Sequence, residues 1–500
     1  MIVTRGRKFR LYPTPEQKRM FNRIFGACNL VYNRFVAENV RRFEERPIID
    51  PEKKDQGDKK KKKKKSKFRN KIGCSISQLD HKFIYAAIKA EAKRDRAASS
   101  EDGIGWILDV PLTYLSDAHR TFHLAWRHYK IMRKNGHDVE EPTFRKRRHR
   151  SFGFHGNFCV TAKDGTTLYW SHDQKKSHNP VAKPYYFLHN QKLIGPIRGI
   201  FPKGSFDHVV DFLSFCISQR ADRYFLSIQV KEHLPDPVFA GPRVGIDRGL
   251  LTFAVTSDGV DCEEHHLPKE KIRHLECKID QLTRKQARQQ TTCPKCGHRN
   301  RKPMKKGQRA WNCPACETHV KPRRSKRLRE TKIKIGRLYL QIDNVRAAFH
   351  HNLSRRLAEE NGSLVVETLD VAGMAARAKA KQTCPKCGYR RTEARVPGWE
   401  CPKCGAKINA KKHNKMSRSI YRQGWSEFER QLTYKGKWYG CEIVKADRFF
   451  PSSKICSACG FKRGKMSLSE REWTCSECGA THDRDHNAAT NLAGYKSCDH

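Results

Sequence analysis

The chain's 500 residues carry 102 Lys and Arg against 52 Asp and Glu, a formal charge of +50, so its surface attracts polyanions, with nucleic acid ahead of a membrane surface. The length predicts about three domains with room for a sizeable core, and the absence of any apolar run near the roughly 20 residues of a spanning helix, or of a signal-peptide pattern, predicts a soluble intracellular protein. Of the 20 cysteines, twelve stand in Cys-x-x-Cys pairs, which argues for metal rather than for the disulfides of a secreted chain.

Residues 1–12 alternate like a strand, Pro13 and Thr14 break it, and a helix follows with Met20, Ile24, Cys28, Val31, Phe35 and Val40 near one face. Residues 47–67 are a charged interruption with seven consecutive lysines, Lys59 to Lys65. It reads as a solvated loop, compatible with one that touches nucleic-acid backbone. Helix resumes over 75–135, with Trp106, Leu112, Tyr114, Leu115, Phe122 and Trp126 expected in the core. The basic run at 142–152 closes on aromatics and reads as a groove-lining loop or as a solvated connector. From Gly153 to Val230 short alternating runs predict a β-rich, barrel-like module that the first strand could complete.

A new domain is expected past Pro242. Arg243 to Gly249 reads as a buried strand ending in Asp247 and a glycine turn, and Leu251 to Thr256 as a second strand. Helices are predicted over about 268–290, with Ile272, Leu275, Ile279 and Leu282 as the apolar stripe, and over about 332–359, with Ile335, Leu338, Ile342, Val345, Phe349, Leu353 and Leu357. A buried strand, Ser363 to Leu369, carries Glu367; a helix near 417–432 and a strand from Cys441 to Val444 follow.

Three doubled cysteine hooks punctuate this half: Cys293/Cys296 with Cys313/Cys316, Cys384/Cys387 with Cys401/Cys404, and Cys456/Cys459 with Cys475/Cys478. Gaps of sixteen, thirteen and fifteen residues suit tetrahedral structural zinc, and redox pairs seldom come doubled at such spacing. The first ribbon is expected to cap a helical hairpin. The remaining eight cysteines, Cys28 and Cys216 among them, read as plain buried thiols.

Asp247, Glu367 and Asp485 each interrupt or border an apolar element, which is costly without a cation or partner. Singly, each reads equally as an ion-paired or capping carboxylate. As an ordered trio that converges, their repulsion would raise their pKa values and a divalent cation would restore the ionised forms. Oxygen ligands suit magnesium or manganese, and two ions about 4 Å apart can drive phosphodiester cleavage.

The order Val-Gly-Ile-Asp247-Arg-Gly, Val-Val-Glu367-Thr-Leu and Arg-Asp485-His-Asn-Ala-Ala resembles the split RuvC nuclease of the TnpB family, the RNA-guided DNA endonucleases of bacterial insertion sequences, kin to compact type V CRISPR effectors and to Fanzor proteins. Further likenesses are Leu11-Tyr12-Pro13-Thr14, Gln431-Leu432-Thr433-Tyr434-Lys435 and Phe450-Pro451-Ser452-Ser453-Lys454-Ile455-Cys456. The resemblance implies an α/β multidomain chain with an RNase H-like (RuvC) nuclease. Residues 1–15 would be the first strand of a wedge β-barrel, 16–150 a helical recognition lobe with the lysine-rich loop, and 151–240 the rest of the wedge. Residues 241–445 would be the split nuclease with zinc ribbons at 293–316 and 384–404, 446–480 the C-terminal ribbon, and 481–500 the last RuvC segment and tail.

It also implies magnesium held by Asp247, Glu367 and Asp485, zinc on the last cysteine set, a guide RNA, and double-stranded target DNA cut beside a short motif to leave a 5′-phosphate. The expected location is the bacterial cytoplasm, in association with the nucleoid, or the nucleus in a eukaryotic host. Departures from the family pattern are three ribbons where one is typical, the lysine run and a longer N-terminal lobe. Other readings are a guide-dependent DNA-binding protein that does not cut, and a zinc-ribbon RNA-binding or transposition accessory factor with a structural trio.

Overall fold

A computed structural model describes residues 1–44, 78–99, 103–110, 112–136, 139–146, 149–155, 159–161, 167–171, 196–202, 204–238, 241–259, 266–300, 310–320, 326–375, 383–390, 398–409, 416–464, 466–467 and 470–496. The lysine run therefore lies outside the described residues. The chain divides into two units, 2–233 and 234–500, the latter including Met1.

The first unit is built around strand β1 (Ile2–Leu11), which pairs antiparallel over its whole length with β7 (Arg223–His233) and, at its end, with β5 (Ile197–Ile200). With β2 (Ser151–His155), β3 (Cys159–Thr161), β4 (Thr167–Ser171) and β6 (Val209–Arg220) it forms one sheet in the order β2-β6-β7-β1-β5-β4-β3. Alternation in β7 buries Tyr224, Leu226, Ile228 and Val230 on one face, the period-2 signature of a half-buried strand.

Helix α1 (Pro15–Glu44) starts where the sequence breaks the strand. Thr14 Oγ1 accepts from the Gln17 amide at 3.2 Å and Gln17 Oε1 accepts from the Thr14 amide at 3.0 Å, a reciprocal cap ahead of proline at the first helical position. Its buried row runs Cys28, Tyr32, Phe35, Asn39, so Val40, expected on the stripe, is exposed: the 3.6 period carries the row to Asn39 instead. Helices α2 (Gln78–Ala97) and α3 (Leu112–Lys134) complete the layer. Phe152 joins sheet to helices, its ring 5.8 Å from Phe21, 5.6 Å from Phe25 and 5.1 Å from Tyr114. The basic run is pinned to α1: Asn33 bonds the Arg145 backbone in both directions, and the Arg145 guanidinium lies 3.9 Å from the Tyr32 ring centroid.

The second unit holds a four-stranded sheet, β15-β12-β8-β9 in order. Strands β8 (Arg243–Asp247), β12 (Ser363–Glu367) and β15 (Glu442–Ala446) are parallel, and β9 (Val255–Thr256) runs antiparallel to β8. The predicted second strand is thus shorter than expected. Gly249 donates to the Phe253 carbonyl, and the turn drives Phe253 into the core, 4.9 Å from Phe349 and 5.0 Å from Phe428, edge to face.

Helices α4 (Lys269–Thr291) and α5 (Lys326–Glu360) form the expected hairpin, with β10 (Trp311–Asn312) and β11 (His319–Val320) of the first ribbon between them in sequence. After α6 (Val371–Ala375) comes the second ribbon with β13 (Gly398–Glu400) and β14 (Lys407–Asn409). The single helix expected near 417–432 is two, α7 (Met416–Gln423) and α8 (Trp425–Tyr439). Gly424 between them takes φ +72°, and a Cβ there would meet His350 Cε1 at 2.7 Å, so the chain can turn only because glycine lets it. The last ribbon carries β16 (Glu472–Thr474) and β17 (Thr481–Asp483) and leads into α9 (Arg484–Ala493). Cys28 and Cys441 are buried thiols as expected, whereas Cys277 is exposed. No helix among the described residues is long and apolar enough to cross a membrane.

Candidate active site

Asp247 ends β8 and Glu367 ends β12. The two strands run parallel with Ile246 opposite Val366, so the next step in that register sets the two carboxylates side by side at the carboxyl ends of the two central strands. Asp485 comes from the first turn of α9, which packs against β8. That packing depends on Gly245: a Cβ there would overlap the Ala489 carbonyl and the Ala493 amide and lie 2.9 Å from Leu492 Cβ.

The three acids share one electrostatic site. Desolvation raises the Asp247 carboxyl well above the usual carboxylate range; Glu367 and then Asp485 push it further, against the pull of Arg484 and Arg248. Glu367 is raised by desolvation and by Asp485, with Arg248 opposing.

Residues not singled out from the sequence hold this site together. Arg248, with a side chain 1 % exposed, donates its backbone amide to Glu367 Oε1 at 3.3 Å, one guanidinium nitrogen to the Glu367 carbonyl and another to Glu429 Oε2 at 3.2 Å. Glu429 on α8 also accepts from Lys445 on β15 at 2.6 Å, so one alternating charge chain ties β8, β12, β15 and α8. Glu429 is depressed by these partners despite burial's opposing pull. The signal available was the Arg beside Asp247 in the quoted phrase; Glu429 and Lys445 have none that sequence spacing could reveal.

Helix α9 is fixed at both ends of its first turn. Asp483 caps it, accepting from the amides of Asp485 at 3.0 Å and His486 at 2.8 Å. Asn487, 1 % exposed, accepts from the Ser457 amide at 2.9 Å and donates to the Ile455 carbonyl at 2.7 Å, while Asn491 reaches the Ser452 carbonyl at 2.8 Å. These bonds grip the strand of chain that carries Cys456, so the last ribbon and the helix bearing Asp485 move as one piece. Arg471 of that ribbon pairs with Asp485 at 2.9 Å.

Each of the three cysteine sets brings its four sulfurs within 4.8 Å of one another, a closure the acidic trio does not have. Such clustering of thiols without disulfides is the donor geometry of a tetrahedral soft-metal site. Hydrogen bonds from Thr318 lower Cys316 to about 6, and the Cys478 and Glu477 amides bring Cys475 to about 7 against burial, while in the same sets hydrogen bonds with neighbouring sulfurs push Cys296 and Cys459 up to about 12 against the His298 and Phe461 amides. In the last set His482 Nε2 lies 3.0 Å from Cys456 Sγ and its ring 5.0 Å from that of Trp473, a contact the cysteine spacing did not announce.

Three family models match the chain. That described as "Helix-turn-helix domain" covers 1–47, where the structure has strand β1 and the single helix α1; "Probable transposase" covers 226–378, and "Cas12f1-like, TNB domain" covers 425–492. A Streptomyces pristinaespiralis protein named "Putative RNA-guided DNA endonuclease" is 26% identical over 493 residues, 98% of this chain and 89% of that one. One of the same name with the suffix InsQ, from Escherichia coli, is 25% identical over 277 residues, and the chain spans 54% of its length. Mimivirus proteins named "TnpB-like" are 31% identical over 87 residues, 16% of their length. Among solved structures, a Cas12f1–sgRNA–target DNA complex aligns over 98% of this chain and 99% of that one at 13% identity with a TM-score of 0.38, too low to carry an argument. The three models fall in order on the first strand and helix, on the segment holding Asp247 and Glu367, and on the segment holding Asp485 and the last ribbon, and a relative at 26% identity aligns nearly end to end.

Proposed function

We propose that the chain is an RNA-guided DNA endonuclease of TnpB type, cutting double-stranded DNA beside a short motif that the protein itself reads. The observation that carries this reading is the electrostatic meeting of Asp247, Glu367 and Asp485 at the carboxyl ends of two central, parallel strands. Their hard oxygen donors, with the Asp247 and Glu367 carboxyls held high by burial and neighbouring acids, fit magnesium or manganese, which would supply Lewis acidity and an activated water at a phosphodiester.

The protein's own part is placement. Strands β8 and β12 hold Asp247 and Glu367 in register, Arg248 fixes the Glu367 backbone and carboxylate, and the last ribbon delivers Asp485 through Asn487. In this reading the second unit's sheet is the RNase H-like nuclease, the seven-stranded sheet is the wedge barrel, and α1 to α3 form the recognition lobe. The three cysteine sets hold zinc. The net charge of +50 favours a guide–target heteroduplex gripped by its backbone while base pairing chooses the sequence. The same chemistry would serve a compact type V effector or a Fanzor protein. A guide-dependent binder without cleavage is disfavoured, since no acid of the trio is missing.

The test begins with sequencing the RNA that co-purifies with the protein. Plasmids carrying its complement beside a randomised flank should be linearised in magnesium and left intact in EDTA. Full RNA loading with every flank uncut in magnesium would refute the assignment.

A further inference from the structure

Strand β15 ends at Ala446, the residue that faces Glu367 in the parallel register of β12 and β15. The chain leaving that end, Asp447-Arg448-Phe449-Phe450, is held as a tight turn. Asp447 Oδ1 accepts from the Phe449 amide at 2.7 Å and the Asp447 carbonyl from the Phe450 amide at 3.1 Å, while the Asp447 amide donates to the Tyr495 hydroxyl at 3.2 Å. The turn parts two adjacent rings. Phe450 goes inward, its ring 4.9 Å from that of Tyr495 and edge to face, whereas Phe449 is left 83% exposed.

A single exposed phenylalanine is ordinary on a protein surface and needs no explanation. This one is set apart by where it is fixed. Thr368 Oγ1 donates to the Ala446 carbonyl at 2.7 Å and the Arg448 guanidinium pairs with Asp370 at 3.0 Å, so the turn is tied to the loop that leaves Glu367. Neighbouring strands lie about 4.8 Å apart and three residues of chain span at most about 11 Å, which keeps the Phe449 Cα within about 16 Å of that of Glu367.

The Arg448 guanidinium also lies 5.7 Å from the Phe449 ring centroid. An exposed ring beside a cation, on a pinned backbone, can take a nucleobase by its face and the adjoining phosphates by charge. Bases inside a duplex are covered by their stacked neighbours, so such a ring selects an unpaired one.

We propose that Phe449 is a base-stacking residue that holds an unpaired nucleotide of the target DNA close to the acidic trio, and so positions the strand for cleavage. The proposal deepens the nuclease reading and rests on it for the identity of the strand. Its test involves no cut. The protein, loaded with its co-purified RNA in buffer without divalent cations, is titrated with a fluorescein-labelled oligo(dT) of about 15 nucleotides, the matching duplex, and oligo(U). The same oligo(dT) carrying 5-iododeoxyuridine is cross-linked by light, and the peptide adducts are located by mass spectrometry.

In the wild type the adducts should include the tryptic peptide 449–454. Phe449→Leu, which keeps apolar bulk but has no ring, should weaken oligo(dT) binding about 5- to 100-fold, as loss of one base stack implies, and remove that adduct. Duplex affinity and melting temperature should stay at the wild-type level, and Phe449→Trp should restore both binding and adduct. Wild-type oligo(dT) affinity with an unchanged adduct in Phe449→Leu would overturn the proposal. So would an equal loss on the duplex, adducts confined to other peptides, or a defect confined to oligo(U). Because these readouts need no cleavage, they stand or fall apart from the nuclease assignment, which the guided plasmid tests.

Discussion

Replacing Asp247 by Ala lowers guided DNA cleavage at least about a thousandfold, roughly 4 kcal/mol of lost transition-state stabilisation, while RNA binding stays at the wild-type level. The size of the effect follows from position. Asp247 is the member of the trio that burial raises most clearly and that both other acids push further. Its removal leaves Glu367 bonded to the Arg248 backbone amide and Asp485 ion-paired with Arg471, two carboxylates with no shared centre. The fold should survive, since a buried, repelled carboxylate is being deleted from the metal-free protein. Filter binding of the co-purified RNA and single-turnover cleavage of the matched plasmid separate the two effects. Cleavage within tenfold of wild type would contradict the catalytic role.

The second large effect is expected at a residue that performs no chemistry. Gly245→Val puts two methyl groups and a Cβ where the Ala489 carbonyl, the Ala493 amide and Leu492 already lie. Overpacking of this kind costs about 1–3 kcal/mol of stability, because the close approach of β8 and α9 is backbone against backbone and cannot be relieved by a rotamer change. Relief must come from moving α9, and α9 carries Asp485. A shift near 1 Å at a reacting centre costs on the order of a hundredfold in rate. Cleavage should therefore fall about a hundredfold or more at a temperature where circular dichroism and zinc content match the wild type. A stable variant cutting at the wild-type rate would show that α9 does not set the site.

What could be read from the sequence and what could not divide along a physical line. Asp247 and Glu367 were legible because a carboxylate at the end of a short apolar run is conspicuous, and Asp485 because it follows the last cysteine hook at a helix start. The parts that make the trio a site were not: Gly245 is one glycine in a strand until α9 is laid against it, and Glu429 becomes a partner of Arg248 only when α8 crosses the sheet. Helix stripes in α4 and α5 followed from their period. The failures came where a tertiary contact overrode local pattern, as when Phe253 turned into the Phe349 and Phe428 rings and shortened β9, or where one residue reversed the chain, as Gly424 does between α7 and α8. The ribbons were legible as cysteine arithmetic, but the approach of His482 to Cys456 and Trp473 was visible only in the folded chain.

The central claim is that three acids share one divalent-cation site, and thermal unfolding tests it most directly. Asp247 and Glu367 are raised in the folded state, so without metal their contribution to stability is present in full below the unfolded carboxyl range, about pH 4, and is lost as pH rises through the folded values. A cation binding the ionised carboxylates reverses that loss by mass action. With zinc-replete protein, the melting temperature should rise on adding manganese at pH 8 and hardly at all at pH 5. Asp247→Asn should melt higher than wild type at pH 8 without manganese and lose the manganese response. An equal manganese shift in wild type and Asp247→Asn, or none in wild type at pH 8, would contradict the account.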